Sequence, residues 1–445
     1  MTHVVTDGAL ADLLAAWLPG QRWFAGYGAA VQDVAITSDT TLAAADPELR
    51  HLIVAVRIDS EVVSYQVLVG FRTELPPALE SAAIGSTGDG RIAYDALGDP
   101  KLTAVLLQGI ASNRMVGSLR FGHPAGAVIG PALTGRALPA EQSNTSVVFD
   151  DQVIMKVLRR PHQGSHPDLE VPRALAAAGS RLVAATLGWL QSVSADAGEP
   201  TVLAILSEYF ADASDGWTLA MASLRDEAPD FTAEAGLLGQ ATAGLHAELA
   251  AAFGTVPLSG RDLAELGAAM NAELDPALAE VPALRPYQDR IRACYRKLAE
   301  LTGQVLSQRI HGDYHLAQVL GTEAGWVVLD FEGEPSTSLA QRRAFSPALR
   351  DVAGMLRSFD YAARHQLLER PDDRRLQAKA LAWAAQCSDA FCAGYASASG
   401  SDPRASGPLL RALIFSKAVY EAVYEARHRP GWLPIPLAAI AEATP

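Results

Sequence analysis

The strongest constraint on this chain is residues 309–334, R-I-H-G-D-Y-H-L-A-Q-V-L-G-T-E-A-G-W-V-V-L-D-F-E-G-E. Val319-Leu320 and Trp326 to Leu329 are short apolar runs separated by a turn through Gly321 to Gly325. Such a pattern predicts an antiparallel hairpin. It places Asp313 and Gln318 at the start of one strand and Asp330 at the end of the other, so the three side chains can converge. Around this island the chain reads as helical: 233–253, 286–301, 373–395 and 408–428 carry helical periodicity, with Leu237, Leu238, Ala241 and Leu245 on one face of the first. The first half reads as strands at 52–59, 61–71, 147–149, 153–157 and 201–209. A β-rich first half and a helical second half with one embedded hairpin predict an α+β chain of two lobes.

Two carboxylates and an amide at this spacing suit phosphoryl transfer. One carboxylate must orient and deprotonate an accepting hydroxyl. An amide oxygen and a second carboxylate must hold Mg²⁺ against the phosphates. Protein kinases meet this need with H-R-D-x-x-x-x-N and D-F-G. Here the pattern is H-G-D-x-x-x-x-Q and D-F-E. Asp313 is therefore the candidate base, and Gln318 with Asp330 the candidate metal ligands. His311 reads as a structural support of the loop. Neither His311 nor His315 reads as a zinc ligand, because the neighbouring oxygen donors suit a harder ion.

A nucleotide lobe must accompany that set. No G-x-x-x-x-G-K-[ST] loop and no full G-x-G-x-x-G occurs, since Gly26-Tyr27-Gly28 lacks the third glycine. Glu141 to Ser146 lies between two candidate strands instead. Ser143, Asn144, Thr145 and Ser146 are read as a turn that covers phosphate oxygens. Val153-Ile154-Met155-Lys156-Val157 follows, with Lys156 at the place of the kinase strand lysine. A buried lysine demands a carboxylate, and Glu170 is the expected partner. Glu208 and Tyr209 end the strand after which a kinase changes lobe, and they are assigned to the adenine edge. Gly122 to Pro139 reads as a surface loop.

Composition narrows the class. Lys+Arg 36 against Asp+Glu 50 gives a net charge of −14, unlike a binder of nucleic-acid backbones. Apolar residues make up 49%, enough for a large core. Cys294, Cys387 and Cys392 form no C-x-x-C pair, which fits a reducing compartment. No apolar run long enough for a transmembrane helix and no secretory leader is seen. A cytoplasmic monomer, without nucleic-acid or membrane partners, is expected.

Several further stretches complete a pattern: Gln21-Arg22-Trp23-Phe24-Ala25-Gly26, Asp330 to Pro335, Arg350 to Phe359, and Tyr424 to Pro436. With Glu141 to Ser146 and the H-G-D-x-H-x-x-Q block, they resemble the actinobacterial maltokinases across nearly the whole chain. That family is similar in fold to eukaryotic-type kinases and aminoglycoside phosphotransferases. The resemblance implies an N-terminal cap over residues 1–95, an intermediate subdomain at 96–209 and a helical lobe at 210–445. It also implies ATP, Mg²⁺ and a sugar hydroxyl as acceptor.

The chain departs from the maltokinase pattern. Tyr314 and Ala317 replace smaller residues near the base, and Ile414-Phe415-Ser416-Lys417 stands where E-L-D-K is common. Added bulk argues for an acceptor smaller than a disaccharide, and some homologues of that family are glucosamine kinases. An amino sugar carries an ammonium, for which Glu421 and Glu425, four apart on one helical face, are candidate contacts. Tyr314, His315 and Trp432 complete the expected sugar site, and Arg350-Asp351 is expected to form a structural ion pair. The leading expectation is glucosamine phosphorylated at its 6-hydroxyl. Maltose phosphorylation at the anomeric hydroxyl, an aminoglycoside kinase and a non-catalytic sugar or nucleotide sensor are the alternatives.

Overall fold

The computed structural model describes residues 7–24, 31–59, 61–130, 132–138, 143–193, 198–225, 229–334 and 337–442. The readings made at Ala25 to Gly28, at Glu141 and Gln142, and at Pro335 lie outside the described residues. Two compact units divide the chain: Met1–Arg173 with Ala184–Ala211, and Ala174–Val183 with Asp212–Pro445.

The first unit starts with helix α1 (Asp7–Trp17) and the long strands β1 (Val31–Ala43), β2 (Glu48–Ile58) and β3 (Glu61–Arg72). The β-branched alternation of β2 and β3 forms an antiparallel hairpin in which Ile58 faces Glu61. Strands β4 (Ala83–Ser86) and β5 (Ile92–Asp95) close a sheet of order β1-β2-β3-β5-β4. Its core packs Leu10 and Leu14 of α1 with Trp23, Phe24, Val54 and Tyr65. Gln21 to Phe24 thus anchors this sheet.

Helix α2 (Pro100–Ala111) is capped by Asp99, whose carboxylate accepts from the Lys101 amide. A second sheet follows, built of β6 (Met115–Val116), β7 (Leu119–Gly122), β8 (Gly135–Ala137), β9 (Asn144–Phe149), β10 (Val153–Leu158), β11 (Thr186–Ser192) and β12 (Thr201–Glu208). Its order is β6-β7-β11-β12-β10-β9-β8. Strand β8 falls inside the stretch read as a loop, because Gly135 to Ala137 pair with Val147 to Phe149. Strand β10 sits centrally between β9 and β12, with Lys156 opposite Ser146 and Ile205.

The two sheets share a polar joint. Gln66 of β3 is fully buried and donates to the carbonyls of Leu158 at 2.8 Å and Leu203 at 2.9 Å. Beside it the buried Arg159 donates to Asp95 at 2.5 Å and to Thr145 Oγ1 at 2.9 Å, with its guanidinium over Trp23. Buried polar groups persist only when satisfied in this way. Helix α3 (Pro167–Ala177) lies between β10 and β11 in the chain.

The second unit carries α4 (Gly216–Leu224), α5 (Thr232–Phe253), α6 (Gly260–Glu280), α7 (Gln288–Arg296), α8 (Leu339–Arg342), α9 (Leu349–His365), α10 (Arg374–Ser399), α11 (Gly407–His428) and α12 (Pro434–Glu442). The buried stripe of α5 is Ala235, Leu238, Thr242, Leu245 and Leu249, while Leu237 stays exposed, correcting its placement on the buried face. Helices α5 and α10 approach so closely that a Cβ on Gly239 would lie 2.1 Å from the Phe391 carbonyl oxygen. Only glycine tolerates such a crossing. The predicted 286–301 helix is α7 flanked by two 3₁₀ turns, since Pro286 lacks the amide a longer helix needs. Strands β13 (Ser214–Asp215), β14 (Thr255–Leu258), β15 (Val305–Gln308), β16 (Val319–Thr322), β17 (Gly325–Val328) and β18 (Ser346–Pro347) form two small sheets, β13-β16-β17 and β14-β15-β18. The predicted hairpin is β16–β17, with Val319 opposite Val328 and Thr322 opposite Gly325.

Candidate active site

In the second unit, strand β15 leads into the loop that carries Asp313. Buried Asp351 of α9 fixes that loop by accepting the amides of His311 at 2.8 Å and Gly312 at 2.9 Å. Its Oδ2 also accepts from His246 Nε2 at 3.1 Å. Burial alone would raise the Asp351 carboxyl, but the contact with His246 and the loop amides hold it below its ordinary value. Asp351 is therefore a loop anchor, correcting the expected pair with Arg350. Gly312 adopts φ +89°, a conformation suited to glycine. The imidazole of His311 donates from Nε2 to the Leu329 carbonyl at 2.7 Å and accepts from the Asp313 amide at 3.3 Å. One histidine thus ties the Asp313 loop to the end of β17.

Asp313 faces two bases. Lys417 of α11 donates to its Oδ1 at 2.8 Å, and His315 Nε2 stands 3.9 Å from Oδ2. Burial pushes this carboxyl up, but the Lys417 ammonium, then His315, outweigh it and hold it well below the carboxylate range. Lys417 also donates to Glu334 at 3.0 Å, and the two acids keep it charged despite burial. Burial lowers His315 to about 4, against the attraction of Asp313, so its ring is neutral near pH 7.

Gln318 closes the 3₁₀ turn before β16, and its amide donates to Asp330 Oδ2 at 3.4 Å. Asp330 follows β17 at φ +60°, a left-handed conformation uncommon for aspartate. Backbone strain of this kind is held in place where it serves a site. The amide oxygen of Gln318 and the Asp330 carboxylate are hard oxygen donors on adjacent chain ends, a donor set that fits Mg²⁺.

A pocket of about 430 Å³ opens beside this loop within the second unit. Gly312, Glu334, Lys417 and Tyr420 line one part of it, and Glu273, Tyr295 and Arg350 another. Tyr314 is among the residues lining it, while its ring is buried against His311 and its hydroxyl meets Thr242 Oγ1 at 2.8 Å. A Cβ at Gly354 would lie 2.5 Å from the Tyr314 carbonyl oxygen, so α9 presses directly on the loop. Ala317 is exposed on the turn and adds no bulk there.

The two glutamates expected to meet an ammonium are committed elsewhere. Glu421 receives Arg357 Nη2 at 2.6 Å and Nε at 3.1 Å. Glu425 is buried and receives Tyr361 Oη at 2.6 Å and the fork of Arg429 at 2.6 and 2.9 Å. Charge-assisted forks of this type are strong enough to keep their carboxylates. Trp432 packs edge-on to His365 with Arg429 4.2 Å over its ring, a helix-end cluster.

In the first unit, Lys156 donates to Asp168 at 3.0 Å. The acid is two residues ahead of the expected Glu170. Asp168 and Glu170 both stand in the first turn of α3. The expected turn at 143–146 is also different: Asn144 to Ser146 already belong to β9, Asn144 and Ser146 are buried, and Thr145 Oγ1 accepts from Arg159. Only Ser143 precedes the strand. The amides of Glu208 and Tyr209 donate to the carbonyls of Ala185 at 3.0 Å and Gln152 at 3.1 Å, so neither is available as an adenine donor.

Motif spacing gives no notice of Glu273, Glu334, Arg350 and Lys417 at the pocket, or of Asp168 at Lys156. Asp168 had a signal, being an acid in the first turn after Pro167. Lys417 had none, since it reaches Asp313 across 104 residues of chain.

A carboxylate on an H-G-D loop with an oxygen-donor pair across the following hairpin and, in the other unit, a strand lysine paired with a helix aspartate are features of a phosphotransferase of the protein-kinase-like fold. The maltokinase N-terminal cap domain matches residues 17–99. A glucosamine kinase of Streptacidiphilus jiangxiensis is 31% identical over 330 residues, covering 71% of this chain and 74% of the relative. The glucosamine kinase of Mycolicibacterium smegmatis is 31% identical over 336 residues, covering 68% and 78%. A solved glucosamine kinase in complex with glucosamine, ADP and inorganic phosphate superposes with TM-score 0.68 at 25% identity, covering 99% of this chain and all of that one. A further crystal form of a glucosamine kinase gives TM-score 0.70 at 26% identity. The chain belongs to the glucosamine kinase family.

Proposed function

We propose that this protein transfers the γ-phosphoryl group of ATP to glucosamine, giving glucosamine 6-phosphate. The observation that carries the reading is Asp313, kept ionised by Lys417 on a loop bordering a pocket of about 430 Å³. An ionised carboxylate accepts the proton of a hydroxyl and orients its lone pair for attack. Gln318 and Asp330 would hold Mg²⁺, which when bound supplies charge neutralisation to the phosphates. Lys156, oriented by Asp168, serves the α and β phosphates.

The charge of the pocket supports an amine-bearing acceptor. With Asp313, the carboxylates are Glu273, Glu280 and Glu334; the bases are Arg350, Lys417 and Arg427. The three lining acids balance the three bases, and the adjoining Asp313 adds one negative charge, which a monocationic sugar neutralises and neutral maltose does not. The names of the family relatives agree with that acceptor. Three buried free cysteines agree with a reducing cytoplasm, and a monomer is part of the same reading. Among the described residues no helix is long and apolar enough to cross a membrane.

The deciding experiment measures ADP release with glucosamine, glucose, maltose and an aminoglycoside as acceptors. Glucosamine is expected to give the highest kcat/KM. A thousandfold preference for maltose, or for the antibiotic, overturns the acceptor, and no turnover with any sugar would leave the chain a sensor.

A further inference from the structure

Of the pocket's three lining carboxylates and the adjoining Asp313, three already have a base. Asp313 and Glu334 share Lys417, and Glu280 takes a two-point contact from Arg427 at 2.5 and 2.7 Å. Glu273, two turns before Glu280 on the same face of α6, is held in no hydrogen bond or ion pair within 4 Å among the described residues, and its charged neighbours are Arg350 and Glu334. Arg350 is no close partner either, and its Nε is buried without a hydrogen bond.

We propose that Glu273 is the acceptor-specificity residue of this pocket, binding the ammonium of the amino sugar while Asp313 takes the hydroxyl to be phosphorylated. This inference rests on the glucosamine reading above. An approaching ammonium finds at Glu273 a carboxylate whose charge is not already satisfied, whereas at the other three acids it must displace a lysine or an arginine. Glu273 lies close enough to Glu334 to feel its charge, and Lys417 joins Glu334 to Asp313. Glu273, Glu334, Lys417 and Gly312, the residue before Asp313, line one pocket of about 430 Å³, so a single small ligand there meets both Glu273 and the loop of the base. Burial also raises the Glu273 carboxyl, with Arg350 opposing and Glu334 adding to the shift. Arg350, across the same part of the pocket, is left to meet ring hydroxyls as a donor only.

Glu273→Gln keeps shape and removes charge, and an exposed helical position tolerates it. Steady-state kinetics with saturating ATP should show KM for glucosamine raised at least ~10-fold, about 1.4 kcal/mol, with kcat within about twofold. KM for glucose, which lacks the ammonium, should stay unchanged. Calorimetric titration of glucosamine into Glu273→Gln should show the same loss without turnover. An unchanged glucosamine KM in Glu273→Gln, or equal losses for glucosamine and glucose, overturns the role of Glu273 while the parent's preference for glucosamine stands. A parent protein with no preference for glucosamine over glucose overturns the acceptor reading itself.

Discussion

Lys417 Nζ stands 2.8 Å from Asp313 Oδ1 and 3.0 Å from Glu334 Oε1. One ammonium thereby sets the ionisation of the proposed base and couples it to the wall of the acceptor pocket. The base is kept charged, and its position is fixed from a different helix.

Replacement of Lys417 by methionine removes that attraction and leaves burial, which raises the Asp313 carboxyl. In the parent this carboxyl is ionised well below pH 4, so the acid limb of kcat/KM is not set by it. In Lys417→Met the limb should climb above the ordinary aspartate value of about 3.9. A pH–rate profile checks this; an unshifted acid limb contradicts the assignment of Asp313 as base.

Asp313→Ala should lower kcat by roughly 10²–10⁴-fold, the usual worth of a general base, while nucleotide binding survives. Equilibrium titration with a fluorescent ATP analogue separates the two effects. Full activity in Asp313→Ala excludes the proposed chemistry.

Lys156→Met should raise KM for ATP by about tenfold or more and leave KM for the sugar unchanged, since loss of a charge-assisted contact to phosphate is worth about 1.5–3 kcal/mol. Asp168→Asn should act in the same direction but more weakly, because it only orients Lys156.

Asp351→Asn should cost about 2–4 kcal/mol in denaturant unfolding, because the loop amides and His246 lose a buried anion. The sign of its pH dependence follows from the lowered carboxyl. The stabilisation is present above the unfolded value near 3.9 and is lost as pH falls through the lower folded value. The parent should therefore destabilise on acidification below about pH 4 more steeply than Asp351→Asn.

Gly354→Ala would bring a methyl to 2.5 Å from the Tyr314 carbonyl oxygen. The loop carrying Asp313 must shift to relieve that contact, and displacement on the order of 1 Å costs roughly 10²-fold in rate. A kcat loss with sugar affinity retained is the expected result.

Much of the β16–β17 hairpin was legible because alternation, glycines and flanking polar residues are local signals. The H-G-D loop, Gln318 and Asp330 could be read from spacing alone, and the structure joins Gln318 to Asp330. Where the reading failed, the missing information was three-dimensional. Glu421 and Glu425 share a helical face, but the sequence does not show that Arg357 and Arg429 reach them first. Tyr314 is bulky, but the sequence does not show that its hydroxyl reaches Thr242, 72 residues away in the chain.

The sequence by itself determined the order of strands and helices and the chemical types at the H-G-D loop, since periodicity and short-range motifs act over a few residues. Only the tertiary structure decided which charges meet: Asp168 at Lys156, Lys417 at Asp313, and Glu273 left without a close base. Coulomb and hydrogen-bond energies depend on separations of a few ångströms, and those separations are set by packing between segments as much as 104 residues apart.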